Sequence, residues 1–282
     1  MGLGSVVNTA LSGMSAATTL IDVAANNLAN SQTPGFKASR VELATLPFLT
    51  PQGNANPIQV GSGVMVAGTS IDFGQGPLET SDQPALLALD GEGLFILEGN
   101  SGERLYTRDG QFVLSGSGEL LSRGGYKVLG YGLAEDGSLD TSQLVPLSIR
   151  LGSEVEDEHG QAVTLQSFAV QRDGRILGRY SDGRYRRLGQ LRLARFPNQA
   201  GLAQRAGNGF RASPASGLPR ESNPGEDGAA QIVKSATELS NVEMARELTK
   251  LQLAENQFRA NLFVLHTADS LLDSLFFPWR IR

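Results

Sequence analysis

Ala10-Leu11-Ser12-Gly13-Met14-Ser15-Ala16-Ala17, followed by Ile21-Asp22-Val23-Ala24-Ala25-Asn26-Asn27-Leu28-Ala29-Asn30 and by Ser31-Gln32-Thr33-Pro34-Gly35-Phe36-Lys37, organises the whole chain. Val7, Ala10, Met14, Ala17, Ile21, Ala24 and Leu28 are spaced by alternating steps of three and four. That is the a/d seam of a coiled coil, narrower than the apolar face of a globular helix. The seam residues are small or flexible, so a second helix can approach closely. Pro34-Gly35 ends the helix, because proline cannot continue it and disfavours the helical region for Thr33. A helix with one narrow apolar stripe needs a partner.

The far end of the chain supplies a candidate. Met244, Leu248, Leu251, Phe258, Leu262, Leu265, Leu272 and Phe276 keep the same alternation, with Glu255 and Asp269 interrupting it. Val264, Ala268, Leu271 and Leu275 widen the apolar face over the last turns. Ser240-Asn241-Val242-Glu243 reads as a helix start, with side-chain oxygens for free amides and Glu243 at capping-box spacing from Ser240. Residues 229–239 read either as an earlier turn of helix or as an extended lead-in.

Between these ends the pattern changes. Glycine is abundant, 34 of 282 residues. From Val64 onward short apolar runs of strand length appear, among them Ala85–Leu89, Leu94–Leu97, Phe112–Leu114, Phe168–Val170, Ile176–Tyr180 and Gln190–Phe196. Asp-Gly pairs at 90–91, 109–110, 136–137, 173–174 and 182–183 predict two-residue type I′ hairpin turns. The expected fold is α+β: N- and C-terminal helices pairing as a coiled coil, with a central antiparallel β domain. The expected division is an N-terminal helix and motif at 1–40, an extended connector at 41–63 carrying Pro47, Pro51 and Pro57, a β domain at 64–210, a Pro/Ser/Gly linker at 211–228 and a C-terminal helix at 229–282.

Composition excludes several kinds of chemistry. Without cysteine there are no disulfides, thiolate metal sites or cysteine nucleophiles. A net charge of −5 gives no general attraction to nucleic acid or acidic membranes. No apolar run reaches the roughly 18 residues that span a bilayer. Glu154, Glu156, Asp157, Glu158 and His159 are read as a solvated loop in preference to a metal site, since ligands on one short run rarely close a coordination sphere. Eight arginines between positions 172 and 195 are read as a charged strand face that meets an acidic neighbour, in preference to a nucleic-acid patch, because no aromatic stacking platform accompanies them. His266 lies beside the second seam. No P-loop, nucleophile elbow or dinucleotide motif is present, so no catalytic residue, cofactor or metal is assigned.

Several stretches resemble the bacterial flagellar rod and hook proteins. Ala10–Met14, Ala25–Asn30 and Thr33–Lys37 resemble that family's N-terminal signature, and Glu238–Ala245 and Thr267–Leu272 its C-terminal one. Leu89–Phe95 and Tyr106–Phe112 resemble its central β motifs. The resemblance implies a non-enzymatic structural subunit whose terminal helices form an inner layer of a helical tube with the β domain outside. Isolated helices of this kind are marginal, which predicts termini that order as subunits add. The implied partners are copies of itself, neighbouring rod, hook and hook-junction proteins, and the flagellar export apparatus, with no nucleic acid and no membrane insertion. The implied location is the basal body or hook, reached without a cleaved signal peptide; the residues alone, lacking a basic n-region before a long apolar stretch, read as cytosolic.

The expected assembly interface combines seam and motif residues: Val7, Met14, Ile21, Asn26, Asn27, Leu28, Asn30, Gly35 and Phe36 at one end, and Ser240, Asn241, Val242, Leu248, Leu251, Phe258, Leu262, Leu265 and Leu272 at the other. Tyr180–Tyr185, Leu188–Leu191 and Asn198–Leu202 look more like the hook protein. Gly130 to Gly160, however, leaves no room for the outer domain that hook proteins carry, which keeps a distal-rod subunit as the near alternative. Phe276–Arg282 extends past the family's usual end and is expected to anchor on a neighbouring subunit. Two weaker readings are a surface-exposed binding module and a hydrolase using a serine with His159.

Overall fold

The computed structural model describes residues 3–47, 61–99, 101–134, 138–156 and 161–276. The connector beyond Pro47, the Asp-Gly pair at 136–137, Asp157, Glu158 and His159 of the acidic run, and the extension at 277–282 lie outside the described residues. The chain divides into two compact units, one made of residues 1–31, 38–72 and 242–282, the other of residues 32–37 and 73–241.

The first unit holds helix α1 (Leu3–Ala29), strands β1 (Ser39–Thr45) and β2 (Val64–Ile71), and helix α2 (Met244–Phe276). β1 and β2 pair antiparallel from Ser39↔Ile71 to Thr45↔Val64, with one bulge after Glu42. This hairpin lies along α1. Its Ser39 end is bonded to Asn27, and at its other end the Val64 N–H donates to the Ser12 hydroxyl oxygen. From Asn27 back to Ser12 is fifteen residues, about 22 Å of helix; the seven residues of β1 span about 23 Å of strand, so the two lengths match. The β domain therefore does not begin at 64. Period-two alternation shows that Val64 and Val66 turn to a covered face, but cannot say which element covers it.

The second unit is antiparallel. Its strands are β3 (Leu78–Thr80), β4 (Leu87–Asp90), β5 (Leu94–Glu98), β6 (Arg104–Thr107), β7 (Phe112–Leu114), β8 (Leu120–Ser122), β9 (Lys127–Tyr131) and β10 (Val145–Pro146), then β11 (Glu154–Glu156), β12 (Ala162–Val170), β13 (Arg175–Tyr180), β14 (Tyr185–Leu191), β15 (Leu193–Arg195), β16 (Ala203–Arg205), β17 (Gly209–Arg211), β18 (Arg220–Ser222), β19 (Gln231–Lys234) and β20 (Ala236–Glu238). The main sheet runs β11-β12-β13-β14-β9-β5-β6-β17-β16, and two further ladders pair β4 with β19 and β3 with β20. Leu87, Phe95, Val128, Ile176, Leu191 and Ile232 sit at the centre of one buried cluster, with Phe95 edge-on to Phe112.

Three expectations change here. Of the two readings of residues 229–239 the extended one holds, and the expected start of the helix at 229 does not, because β19 and β20 complete ladders with β4 and β3. Residues 211–228 contain β18, bonded to β15, with Ser216 fully buried, so this stretch is woven into the unit. The Asp-Gly hairpins at 173–174 and 182–183 are three-residue loops, not type I′ turns. In each, the glycine alone takes positive φ, 82° at Gly174 and 77° at Gly183. The aspartate preceding it instead turns its side chain onto the amide two residues on, Asp173 to Arg175 at 3.1 Å and Asp182 to Arg184 at 2.9 Å. The same closure recurs at Ser115–Glu119 and Ser122–Tyr126, with Gly118 and Gly125 in the left-handed region.

Candidate assembly surfaces

The two long helices pack side by side within the first unit, and small residues let them close. Ala10, Ala17 and Ala24 on α1 and Ala254 and Ala268 on α2 are buried. At Gly13 a Cβ would stand 2.7 Å from the Asn261 side chain, so the backbone of α1 and that side chain are in direct contact. At the other end Asn27, fully buried, donates from Nδ2 to the Ser39 carbonyl at 2.8 Å and to Glu247 Oε2 at 3.1 Å, and its Oδ1 accepts the Ser39 N–H at 2.9 Å. Lys250 closes the set on Glu247 Oε1 at 2.5 Å. Fourteen residues back along α1, from 27 to 13, correspond to fourteen forward along α2, from 247 to 261. The helices therefore run antiparallel, in step over about 21 Å, two heptads.

On α1 the expected seam is the covered one: Val7, Met14, Ile21 and Leu28 are half-buried between the buried alanines. On α2 half of the expected seam is displaced. Leu251, Phe258, Leu265 and Leu272 are covered, but the alternate positions are Glu247, Ala254, Asn261 and Ala268, each one residue before the expected set. Met244 and Leu248 stand exposed, Leu248 at 48%, and Leu262 is half-buried at the margin. The acidic interruptions at Glu255 and Asp269 were the sign of this shift, since the small residue just before each one faces α1. The helix begins at Met244, four residues past the expected cap at Ser240, with the Glu247 N–H donating to the Glu243 carbonyl.

The motif residues fall into two groups. Asn26 is exposed and Asn30 half-buried at the end of α1, where the Asn30 amide donates to the Asn26 carbonyl at 2.9 Å. Gly35, Phe36 and Ser240 are buried within the second unit, so they hold the chain's own fold. Gly35 has φ 68°, and a Cβ there would lie 2.6 Å from the Asp109 backbone nitrogen. Asn241, half-buried, donates its backbone N–H to Phe36 and its side-chain amide to the Gly74 carbonyl. Val242 is half-buried.

Within the second unit lies a buried ionic cluster that no local sequence pattern marks. Glu238 Oε1 accepts from Lys37 Nζ at 2.7 Å and from the Gly76 N–H at 2.9 Å, and Oε2 accepts from Arg108 Nε at 2.5 Å. Two cations face one carboxylate, and carbonyls take up the excess charge. Lys37 donates to Gly74 O, and Arg108 to Gly93 O, Gly91 O and Leu89 O. Beside it, burial pushes the Asp109 carboxyl above its ordinary range despite the Gln111 N–H that it accepts and the charge of Arg123.

The arginine-rich hairpin is mostly paired with its own neighbours. Arg175 meets Asp173, Arg186 meets Asp182, Arg195 meets Glu92, and Arg192 lies over the Tyr131 ring at 4.8 Å. The first residues of the acidic run form β11 rather than loop. His266 is exposed on α2. Among the described residues no three His, Asp or Glu side chains converge as a metal site would require, and no helix is long and apolar enough to cross a membrane.

Three family profiles match in chain order: "Flagella basal body rod protein" over residues 7–37, "Flagellar hook protein FlgE/F/G D1 domain" over 88–178, and "Flagellar basal body rod FlgEFG protein C-terminal" over 233–276. The buried cluster takes one residue from each matched segment: Lys37, Arg108 and Glu238. These matches define an axial protein of the bacterial flagellum. The flagellar basal-body rod protein FlgG of Caulobacter vibrioides is 30% identical over 279 residues, covering 95% of this chain and 97% of that one. FlgG of Borreliella burgdorferi is 29% identical, covering 94% of each. The flagellar hook protein FlgE of Helicobacter mustelae is 38% identical over 132 residues, 43% of this chain and 29% of that one. The chain belongs to the flagellar hook and rod axial protein family; it is a structural subunit of the flagellum, not an enzyme.

Proposed function

We propose that this subunit builds the distal rod of the flagellar basal body, polymerising through its terminal helices. The observation that carries the reading is its end-to-end correspondence with rod proteins of its own length, against a match to less than a third of a hook protein. The local fold supports it: β10 pairs back onto β9 and β11 onto β12, so both described strands between β9 and β12 belong to the main sheet, in the stretch where a hook protein would insert an outer domain. The hook resemblance around the β13–β14 hairpin is shared sheet architecture on this reading.

The antiparallel α1/α2 pair acts as a short coiled coil, with Asn27 opposite Glu247 setting its register. The seam residues Val7, Met14, Ile21, Leu251, Phe258, Leu265 and Leu272 hold the pair together, while exposed Leu248 and Asn26 face neighbouring subunits. The subunit reaches its place without signal cleavage, through the export apparatus, and contacts neighbouring rod and hook proteins. Immunogold labelling of isolated hook–basal bodies tests the assignment. Label on the shaft below the hook is expected, and label along the hook itself would overturn it.

A further inference from the structure

We propose that a groove between α1, α2 and β1 receives the exposed apolar ridge of α2 from a second copy of this chain, an inference that rests on the assembly reading above. The groove is a 420 Å³ cavity whose apolar walls include Leu20, Val23, Val41 and Leu253. Its charged lining is Arg40, Arg246, Lys250 and the single carboxylate Glu247, which is already engaged by Asn27 and Lys250. The exposed pairs of Arg40 with Asp72 and Arg246 with Glu243 are weak and exchange readily for another carboxylate.

The complementary surface lies further along α2. Phe263, Thr267 and Leu271 follow at steps of four, which places them in one row turned away from Leu265. Phe263 is 72% exposed and Leu271 51%, a large apolar surface for a helix to leave in water. From Ala260 to Phe276 the helix has no lysine or arginine, while Asp269 and Asp273 are exposed. An apolar groove with cationic edges thus faces an apolar ridge carried on a stretch of helix whose lysine- and arginine-free sequence holds two exposed aspartates. Groove and ridge are different patches of one molecule, so each copy offers both, and the contact is head-to-tail and open-ended.

The chain has no cysteine, which gives a direct test. Full-length Leu253→Cys copies are mixed with full-length Phe263→Cys copies under mild oxidation. Leu218→Cys, exposed on the second unit, replaces Leu253→Cys in the control mixture. The expected result is a several-fold excess of disulfide-linked heterodimer over the control; equal yields would overturn the proposal. Adding Arg246→Glu with Lys250→Glu to the Leu253→Cys copy should lower the yield about tenfold, equivalent to 1.4 kcal/mol. Asp269→Lys with Asp273→Lys on the other copy should recover it, which a folding defect would not permit. Electron microscopy of the wild-type chain reads the assembly reading separately: filaments without the 253–263 cross-link would sink the groove and leave assembly standing.

Discussion

Asn27 and Glu247 lie 220 residues apart in sequence and share a buried hydrogen bond of 3.1 Å, which joins the start of α2 to the end of α1. The same Asn27 side chain pairs in both directions with the Ser39 backbone, so one amide ties three elements. Asn27→Ala leaves the Ser39 N–H and C=O and the Glu247 carboxylate short of partners in a buried site. A loss of about 2–3 kcal/mol is expected, as for buried polar groups stripped of a bond. It should appear as a lower melting midpoint of the helical circular-dichroism signal; an unchanged midpoint would show that the bond does not hold the helices.

The Lys37–Glu238–Arg108 cluster responds unequally to its members. Glu238→Gln strands two buried cations and should cost about 3–5 kcal/mol. Lys37→Met leaves Glu238 paired with Arg108 and should cost less. Urea unfolding of the two variants gives the order, and a reversed order would mean that Lys37 anchors the cluster through its backbone contacts instead.

Asp109 makes stability depend on pH. Its folded pKa lies above the unfolded value of 3.8, with burial as the leading cause. Its contribution is therefore fully present below that unfolded value and is lost as pH rises through the raised folded one. Asp109→Asn keeps an oxygen for the Gln111 N–H and removes the buried charge. The variant should be more stable than the parent at neutral pH, with the gain vanishing in acid. A difference independent of pH would refute the buried-charge account.

Two glycines with positive φ should differ in cost. Gly35→Ala adds a backbone collision, a Cβ at 2.6 Å from Asp109 N, to the left-handed strain, whereas nothing lies within 4 Å of a Cβ at Gly183. Gly183→Ala should cost about 1–2 kcal/mol and Gly35→Ala clearly more. Equal losses in thermal unfolding would mean that the 32–37 segment shifts freely.

The displaced seam on α2 separates two neighbouring substitutions. Ala254→Asp puts a carboxylate at a position 2% exposed, while Leu248→Asp puts one at a position 48% exposed. The first should lower helix content and the second leave it intact. Met14→Asp should abolish polymerisation while the β domain stays folded; normal tubes from this variant would defeat the coiled-coil account.

The extent to which this molecule could be read in advance follows from the range of each signal. The seam of α1 was legible because helical periodicity is local and its alanines leave little choice of face. On α2, where leucines lie on several faces, periodicity finds the stripe but includes Met244 and Leu248, which are exposed. Val64–Ala67 was recognised as strand but assigned to the wrong unit, since alternation records coverage and not its source. Asp-Gly at 173–174 and 182–183 marks a hairpin but not its type, because the aspartate bonds onward along the backbone instead of adopting positive φ; at 90–91 and 109–110 the flanking strands do not pair with each other.

Lys37, Arg108 and Glu238 were in plain view inside the motif stretches, flanked by residues such as Phe36 and Thr107 that are themselves buried. A charge lodged among buried neighbours is the only local sign that it has a partner, and it cannot say which. Helices, strand-forming runs and the family they resemble were determined by the sequence alone, because they depend on residues a few positions apart. Which side of α2 faces α1, which unit owns β2, and which carboxylate neutralises two cations 71 residues apart (37 to 108) were decided only by the tertiary structure. Those outcomes depend on who fills the space beside each side chain, and burial of a charge is tolerated only where folding has already brought its opposite within hydrogen-bonding distance.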